Sequence, residues 1–151
     1  MNKIASFTVD HRRITEGVYI SRIDGDIVTY DLRMRKPNTG DLLSNSGIHS
    51  LEHMFATVIR NSALSDKVIY FGPMGCQTGV YLLMRNHNHL ENLTLIKETL
   101  AKIIEYNGEM PGNSEIECGN YKNLDMAVAK VEAEKYLNKI KDKTVDHMRY
   151  A

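Results

Sequence analysis

An α+β fold, with an antiparallel β-sheet packed against α-helices in a single domain, follows from three observations on the sequence. Short segments alternate apolar and polar residues, as half-buried strands do. Longer segments repeat apolar residues every three or four positions, as helices do. Neighbouring strand segments are joined by short turns rather than by helical crossovers, which argues against a doubly wound parallel sheet. The 151 residues match the length of one domain of about 150 residues, so residues 1–151 are read as one unit.

Taken in order, Gly17–Ile23 and Ile27–Met34 form a hairpin around Asp24-Gly25-Asp26. In its second strand Val28, Tyr30, Leu32 and Met34 alternate with Thr29, Asp31, Arg33 and Arg35. Lys36–Asn45 is loop. Ser46 is a candidate cap for a helix from about Gly47 to Asn61, whose apolar stripe is Ile48, Leu51, Phe55, Val58 and Ile59. Lys67–Phe71 and Gly79–Arg85 are strands, separated by a turn rich in Gly and Pro, Gly72–Thr78. Leu90–Tyr106 is a helix with Leu93, Ile96, Leu100, Ile103 and Ile104 on one side. Asn107–Tyr121 is irregular. Leu124–Ile140 is a helix striped by Leu124, Val128, Val131 and Leu137.

Composition excludes several function classes. Lys+Arg and Asp+Glu each number 19, so the net charge is zero. Neither a nucleic-acid partner nor a membrane surface is expected of a chain without a basic excess. No apolar run resembles a secretory leader or a span of about 20 residues. A cytoplasmic, reducing location is therefore expected, with both cysteines free.

The chemistry concentrates in His49-Ser50-Leu51-Glu52-His53. Histidines at i and i+4 project from one helix face, where a single metal ion can take both. At about 100° per residue, that face lies roughly 130° from the apolar stripe, so it looks onto a cleft or an interface. It also holds Ala56 and Arg60, the latter about 16 Å along the axis. Glu52, three positions after His49, flanks the same face. The bland alternative is a chance pattern on a solvated helix, since such motifs need context.

A catalytic metal site typically takes three protein ligands and keeps an open position. Candidates for the third are Cys118, Cys76, His87, His89, His11 and the acidic residues. Cys118 precedes the last helix and is followed by Gly119, which permits close backbone approach. Cys76 lies in the turn between strands, where flanking glycines present its thiol. His87 and His89 are read as facing solvent, and His147 lies in a charged tail.

Together these residues resemble the S-ribosylhomocysteine lyase family, which makes the precursor of autoinducer-2. The resemblance runs from Ser6 to the last helix. Its motifs are Ser6-Phe7 with Asp10-His11, then Tyr30-Asp31-Leu32-Arg33 followed by Pro37-Asn38. The H-x-x-E-H segment, Pro73-Met74-Gly75-Cys76-Gln77-Thr78-Gly79 and Cys118-Gly119 complete them. The resemblance implies a metal held by His49, His53 and Cys118. Fe(II) is favoured, with Zn or Co as substitutes. It implies Glu52 and Cys76 as the acid–base pair, and Ser6, His11, Arg33 and Arg60 as substrate-binding residues. It further implies a homodimer with active sites at the interface, acting on S-ribosylhomocysteine. Family members commonly carry an aspartate where this chain has Tyr70, a departure that bears on the homocysteine end. The competing expectation is a zinc metallopeptidase of the H-x-x-E-H type, with an acidic third ligand. A non-catalytic, metal-stabilised binding protein is the third reading.

Overall fold

In the computed structural model, which describes residues 1–151, four strands form one antiparallel sheet in the order β1-β2-β4-β3. They are β1 (Gly17–Asp24), β2 (Ile27–Arg33), β3 (Val68–Pro73) and β4 (Gly79–Met84). Three helices, α1 (Asn45–Arg60), α2 (His89–Glu105) and α3 (Met126–Ile140), complete the architecture. Both expected hairpins are present, β1–β2 and β3–β4. No helix is long and apolar enough to cross a membrane.

The strand alternation decides which face the helices cover. Register pairs Val28 with Met84, Tyr30 with Leu82 and Leu32 with Val80. These six side chains project to one face, because successive residues of a strand point to opposite sides. They join α1, α2 and α3 in one core cluster of 27 buried residues. The opposite face carries Thr29, Asp31 and Arg33 beside Leu83 and Tyr81, and no helix lies on it.

Helix α1 is fixed to the sheet by Leu51, Met54, Phe55 and Ile59, all buried. Phe55 stacks on Phe71 of β3, with centroids 4.2 Å apart. Truncating a buried Phe to Ala typically costs about 3–5 kcal/mol, so this contact anchors the helix that carries the histidines. The cap is Ser44, not Ser46: Ser44 Oγ accepts the Gly47 N–H at 2.9 Å. Ser46 instead donates to the Asn123 carbonyl at 2.7 Å.

Helix α3 buries a face that overlaps the expected one only in part. Leu124 and Leu137 pack against the core, but the fully buried positions are Ala129, Glu132, Ala133, Tyr136 and Ile140, and Val131 is exposed. Two alanines allow close approach. Glu132 is accepted there because Arg35 Nη2 donates to both its oxygens, at 2.8 and 2.7 Å. Tyr136 donates to the Gly17 carbonyl at 2.7 Å. Polar residues that pair in the interior therefore hid the buried stripe. Beyond α3 the chain returns to the edge of β1, where the Ile20 N–H donates to the Met148 carbonyl at 2.8 Å.

Candidate active site

The outward face of α1 brings His49 and His53 together, with ring centroids 4.8 Å apart. Cys118 joins them from the irregular segment, and the three ligand atoms lie within 4.8 Å of one another. Cys118 Sγ is 3.4 Å from His49 Nε2. A tetrahedral ion with metal–sulfur and metal–nitrogen bonds of about 2.3 and 2.0 Å spaces those atoms about 3.5 Å apart. The donor set and its spacing therefore fit a divalent metal. Of the candidates for a third ligand, only Cys118 is brought to the two histidines.

The imidazoles are held from behind. His53 Nδ1 donates to the Pro111 carbonyl at 2.8 Å, and His49 Nδ1 donates to Asn123 Oδ1. With Nδ1 protonated, each Nε2 keeps a lone pair for the metal, the usual outer-shell device for orienting a ligand histidine. The loop that supplies these acceptors is itself tied to α1. Ser46 reaches the Asn123 carbonyl, and Ser50 Oγ accepts the Asp125 N–H at 2.7 Å.

Close backbone approach belongs to Gly112 rather than Gly119. Gly112 has φ +69°, and a Cβ there would lie 2.8 Å from His53 Nδ1. A Cβ on Gly119 would meet nothing within 4 Å. Cys118 also lies apart from the start of α3, and its sulfur accepts the Asn120 N–H at 3.4 Å instead. Glu52 is half-buried on the same helix and forms no ion pair within the chain.

A second constellation occupies the open face of the sheet. A pocket of about 270 Å³ there is lined by Ser6, His11, Arg33, Tyr70, Tyr81 and Tyr150, among others. Three of the four expected substrate-binding residues thus share one pocket. Ser6 and His11 lie on or beside short 3₁₀ turns, Ala5–Phe7 and His11–Arg13. Arg33 is buried, donating to Asp31 through Nε at 3.1 Å and Nη2 at 2.7 Å. Its Nη1 donates to Thr78 Oγ1 at 2.9 Å. Burial works against its charge, but the hydrogen bonds and charge of Asp31 outweigh that and raise its pKa. Arg60 lies elsewhere: it is exposed and donates to the Ile69 carbonyl at 3.0 Å.

Cys76 is exposed in the β3–β4 turn, its Sγ 3.0 Å from Thr78 Oγ1. None of the metal-cluster residues lines the pocket. Cluster and pocket belong to opposite sides of the sheet.

His89 does not simply face solvent. It is half-buried, and its Nδ1 lies 2.7 Å from Tyr30 Oη. His87 is exposed and contacts the Gly25 carbonyl. Sequence reasoning overlooked Asp31, Thr78, Asn123 and Tyr150. Asp31 and Thr78 left a signal: both lie in the motifs that carry the resemblance, and Asp31 is an acid two positions before an arginine on one strand face. Tyr150 stacks on Tyr19, centroids 4.9 Å apart, and donates to Asp31 Oδ2 at 2.6 Å. Burial first, then the Asp31 charge, pushes its phenol well above the ordinary tyrosine range, so it remains a donor.

The third member of the cluster is a thiol and no acidic side chain joins it, which leaves the peptidase arrangement without its acidic ligand. Residues 4–147 match the profile of the family described as S-Ribosylhomocysteinase (LuxS). A protein of Desulfotalea psychrophila named S-ribosylhomocysteine lyase is 43% identical over 148 residues, covering 94% of this chain and 93% of its own. One of that name from Finegoldia magna is 41% identical over 155 residues, covering 99% of each chain. Another from Porphyromonas gingivalis is 42% identical over 157 residues, again 99% of each.

Proposed function

The chain belongs to the S-ribosylhomocysteinase family, and from that premise we propose that it cleaves S-ribosylhomocysteine to homocysteine and 4,5-dihydroxy-2,3-pentanedione. As a carbon–sulfur lyase it changes no net oxidation state. The sugar carbonyl moves from C1 to C2 to C3 by two enolisations. Loss of the C4 proton then expels the C5 thioether as homocysteine.

The observation that carries this reading is the convergence of His49, His53 and Cys118. A divalent ion held there supplies Lewis-acid polarisation of the migrating carbonyl. Fe(II) is the proposed native ion, with Zn or Co able to replace it, since imidazole and thiolate suit several of these metals.

The proton transfers fall to Glu52 and Cys76. Glu52 is free of ion pairs and one residue from a ligand, so its carboxylate is available to take and return a proton. Cys76, exposed on the open-face side, exchanges the proton on the opposite face of the sugar. Ser6, His11 and Arg33 hold its hydroxyls, and Arg60 receives the homocysteine end. Two enolisations need a base and an acid in alternation, and such groups typically contribute about 10²–10⁴-fold each.

Cluster and pocket lie on different sides of the sheet in one chain, which supports a homodimer whose active sites combine the two from different copies. Exposed Ile4 and Tyr70 line the pocket, exposed Phe7 follows its lining residue Ser6 in sequence, and exposed Ile116 lies near Cys118 in sequence. Apolar patches of this kind mark interaction surfaces. The chain is placed in the cytoplasm, where both thiols stay reduced.

The test is thiol release. Protein loaded anaerobically with Fe(II) or Co(II) is expected to free homocysteine from S-ribosylhomocysteine. A preparation with stoichiometric metal that releases no thiol overturns the proposal.

A further inference from the structure

An unbroken line of hydrogen bonds joins the C-terminal tail to Cys76. Tyr150 Oη donates to Asp31 Oδ2 at 2.6 Å. Asp31 accepts two bonds from Arg33. Arg33 Nη1 donates to Thr78 Oγ1 at 2.9 Å, and Thr78 Oγ1 lies 3.0 Å from Cys76 Sγ.

A guanidinium has donors only, so the Thr78 oxygen accepts from Arg33. The hydroxyl keeps its own proton and a second lone pair, so it donates to Cys76 Sγ when the sulfur is a thiolate and accepts from it when the sulfur is a thiol. In either state Thr78 ties the sulfur to a point fixed by Arg33.

Nothing else fixes that sulfur. The turn backbone is held firmly: the Thr78 carbonyl accepts Met34 and Arg35 N–H at 2.9 Å each, and the Gln77 carbonyl accepts Leu43 N–H at 2.8 Å. The Cys76 side chain, however, is exposed. Without packing, its χ1 would be free to sample three staggered wells. Thr78 is buried and its carbonyl is bonded twice, so its hydroxyl starts from a fixed point. At the far end, Tyr150 is clamped by its stack on Tyr19 and stays a phenol, because burial and then Asp31 raise its pKa.

We infer that Thr78 and Tyr150 are positioning residues of the lyase reaction, Thr78 by aiming the Cys76 sulfur and Tyr150 by holding the Asp31–Arg33 pair that orients Thr78. This rests on the reading of Cys76 as a proton-transfer group.

The experiment compares Thr78→Val, Thr78→Ser, Tyr150→Phe and Cys76→Ala in the full, metal-loaded protein. Steady-state thiol release is measured beside the Cys76 χ1 couplings by NMR. Thr78→Val is expected to lower kcat about three- to tenfold, from spreading the sulfur over three wells and losing one hydrogen bond, with KM little changed. Its χ1 couplings should average where the wild type has one value. Thr78→Ser keeps the hydroxyl and should keep both rate and rotamer. Tyr150→Phe keeps the stack and should lower kcat by a smaller factor. If Thr78→Val does not fold, Tyr150→Phe and Thr78→Ser carry the same comparison. Wild-type rates and a single χ1 in Thr78→Val and Tyr150→Phe, with Cys76→Ala inactive, overturn the positioning roles. A fully active Cys76→Ala instead overturns the reading of Cys76 on which they stand.

Discussion

On the helix-covered face of the sheet, Val28, Tyr30 and Leu32 are lost in an apolar core; one residue along the same strand, Asp31 and Arg33 are equally buried on the other face, but as charges. The first face derives its stability from area removed from water, at about 25 cal/mol per Å² of apolar surface. The second gains little, because desolvating two charges offsets most of their attraction. What it gains instead is geometry: a guanidinium held in one place at the wall of a pocket. The metal-ligand cluster resembles neither. It sits at the margin of the helical layer on a helix whose apolar contacts are made by other residues. The chain thus separates what holds the fold together from what holds the chemistry.

The largest effect tests that separation directly. His53→Ala should abolish stoichiometric metal binding and thiol release while leaving the circular dichroism spectrum nearly unchanged, since α1 is anchored by Leu51, Met54, Phe55 and Ile59. Metal analysis and far-UV spectra check it. Retained metal would break the ligand assignment, and lost helix would break the separation.

Next come Glu52 and Cys76, the proposed proton-transfer residues on the two sides. Glu52→Gln and Cys76→Ala should each lower kcat by about 10²–10⁴-fold. If each active site draws Glu52 from one copy and Cys76 from the other, refolding the two inactive variants together should restore about a quarter of wild-type activity. Half the dimers formed are then hybrids, and each hybrid has one intact site of two. Recovery on mixing sharpens the comparison into a statement about subunits. No recovery would put both residues in the same chain's site.

Smaller, and on stability rather than rate, is the open-face ion pair. Asp31→Asn leaves Arg33 buried without its partner, and breaking such a pair typically costs about 3–5 kcal/mol. Denaturant unfolding measures it. Replacing both, Asp31→Asn with Arg33→Met, should recover much of that stability while remaining inactive. A double variant as unstable as the single would mean that this face contributes to folding much as the core does.

The site divides in the same way by how readily the sequence discloses it. The two histidines were legible because i and i+4 spacing is a local property of a helix. Their third partner was not, since choosing Cys118 over Cys76 depends on a loop that Ser46, Ser50 and Asn123 fasten to α1. The strands and their alternation were legible, and the apolar face of β2 went where its pattern required. The burial of Asp31 and Arg33 on the polar face is not legible in that alternation. Their partners come from far along the chain: Tyr150 donates to Asp31, and Thr78 accepts from Arg33. In α3 the stripe was misread because its buried positions include Glu132, whose charge Arg35 neutralises. Where burial follows from apolarity the sequence is transparent; where it follows from pairing with a distant residue it is not.

The smallest effect separates the faces by their response to acid. On the helix side, Asn92 Nδ2 donates to Tyr30 Oη at 2.8 Å, and Tyr30 Oη lies 2.7 Å from His89 Nδ1. With His89 neutral and Nδ1 bare, Tyr30 donates to it. Burial first, then the nearby His87 and Arg149, lowers its pKa below the ordinary 6.5. The folded protein therefore binds fewer protons here than the unfolded chain between the lowered value and 6.5. Stability from this group is complete above that window and declines as the pH falls through it. His89→Gln retains an acceptor for Tyr30 and cannot titrate. The Tm of the wild type should therefore fall relative to His89→Gln by a few degrees at most as the pH drops below about 6.5. Measuring the difference between the two proteins cancels acid effects common to both. A difference that stays flat across the window would mean that the Tyr30–His89 bond does not restrain the start of α2, and that acid sensitivity lies elsewhere in the fold.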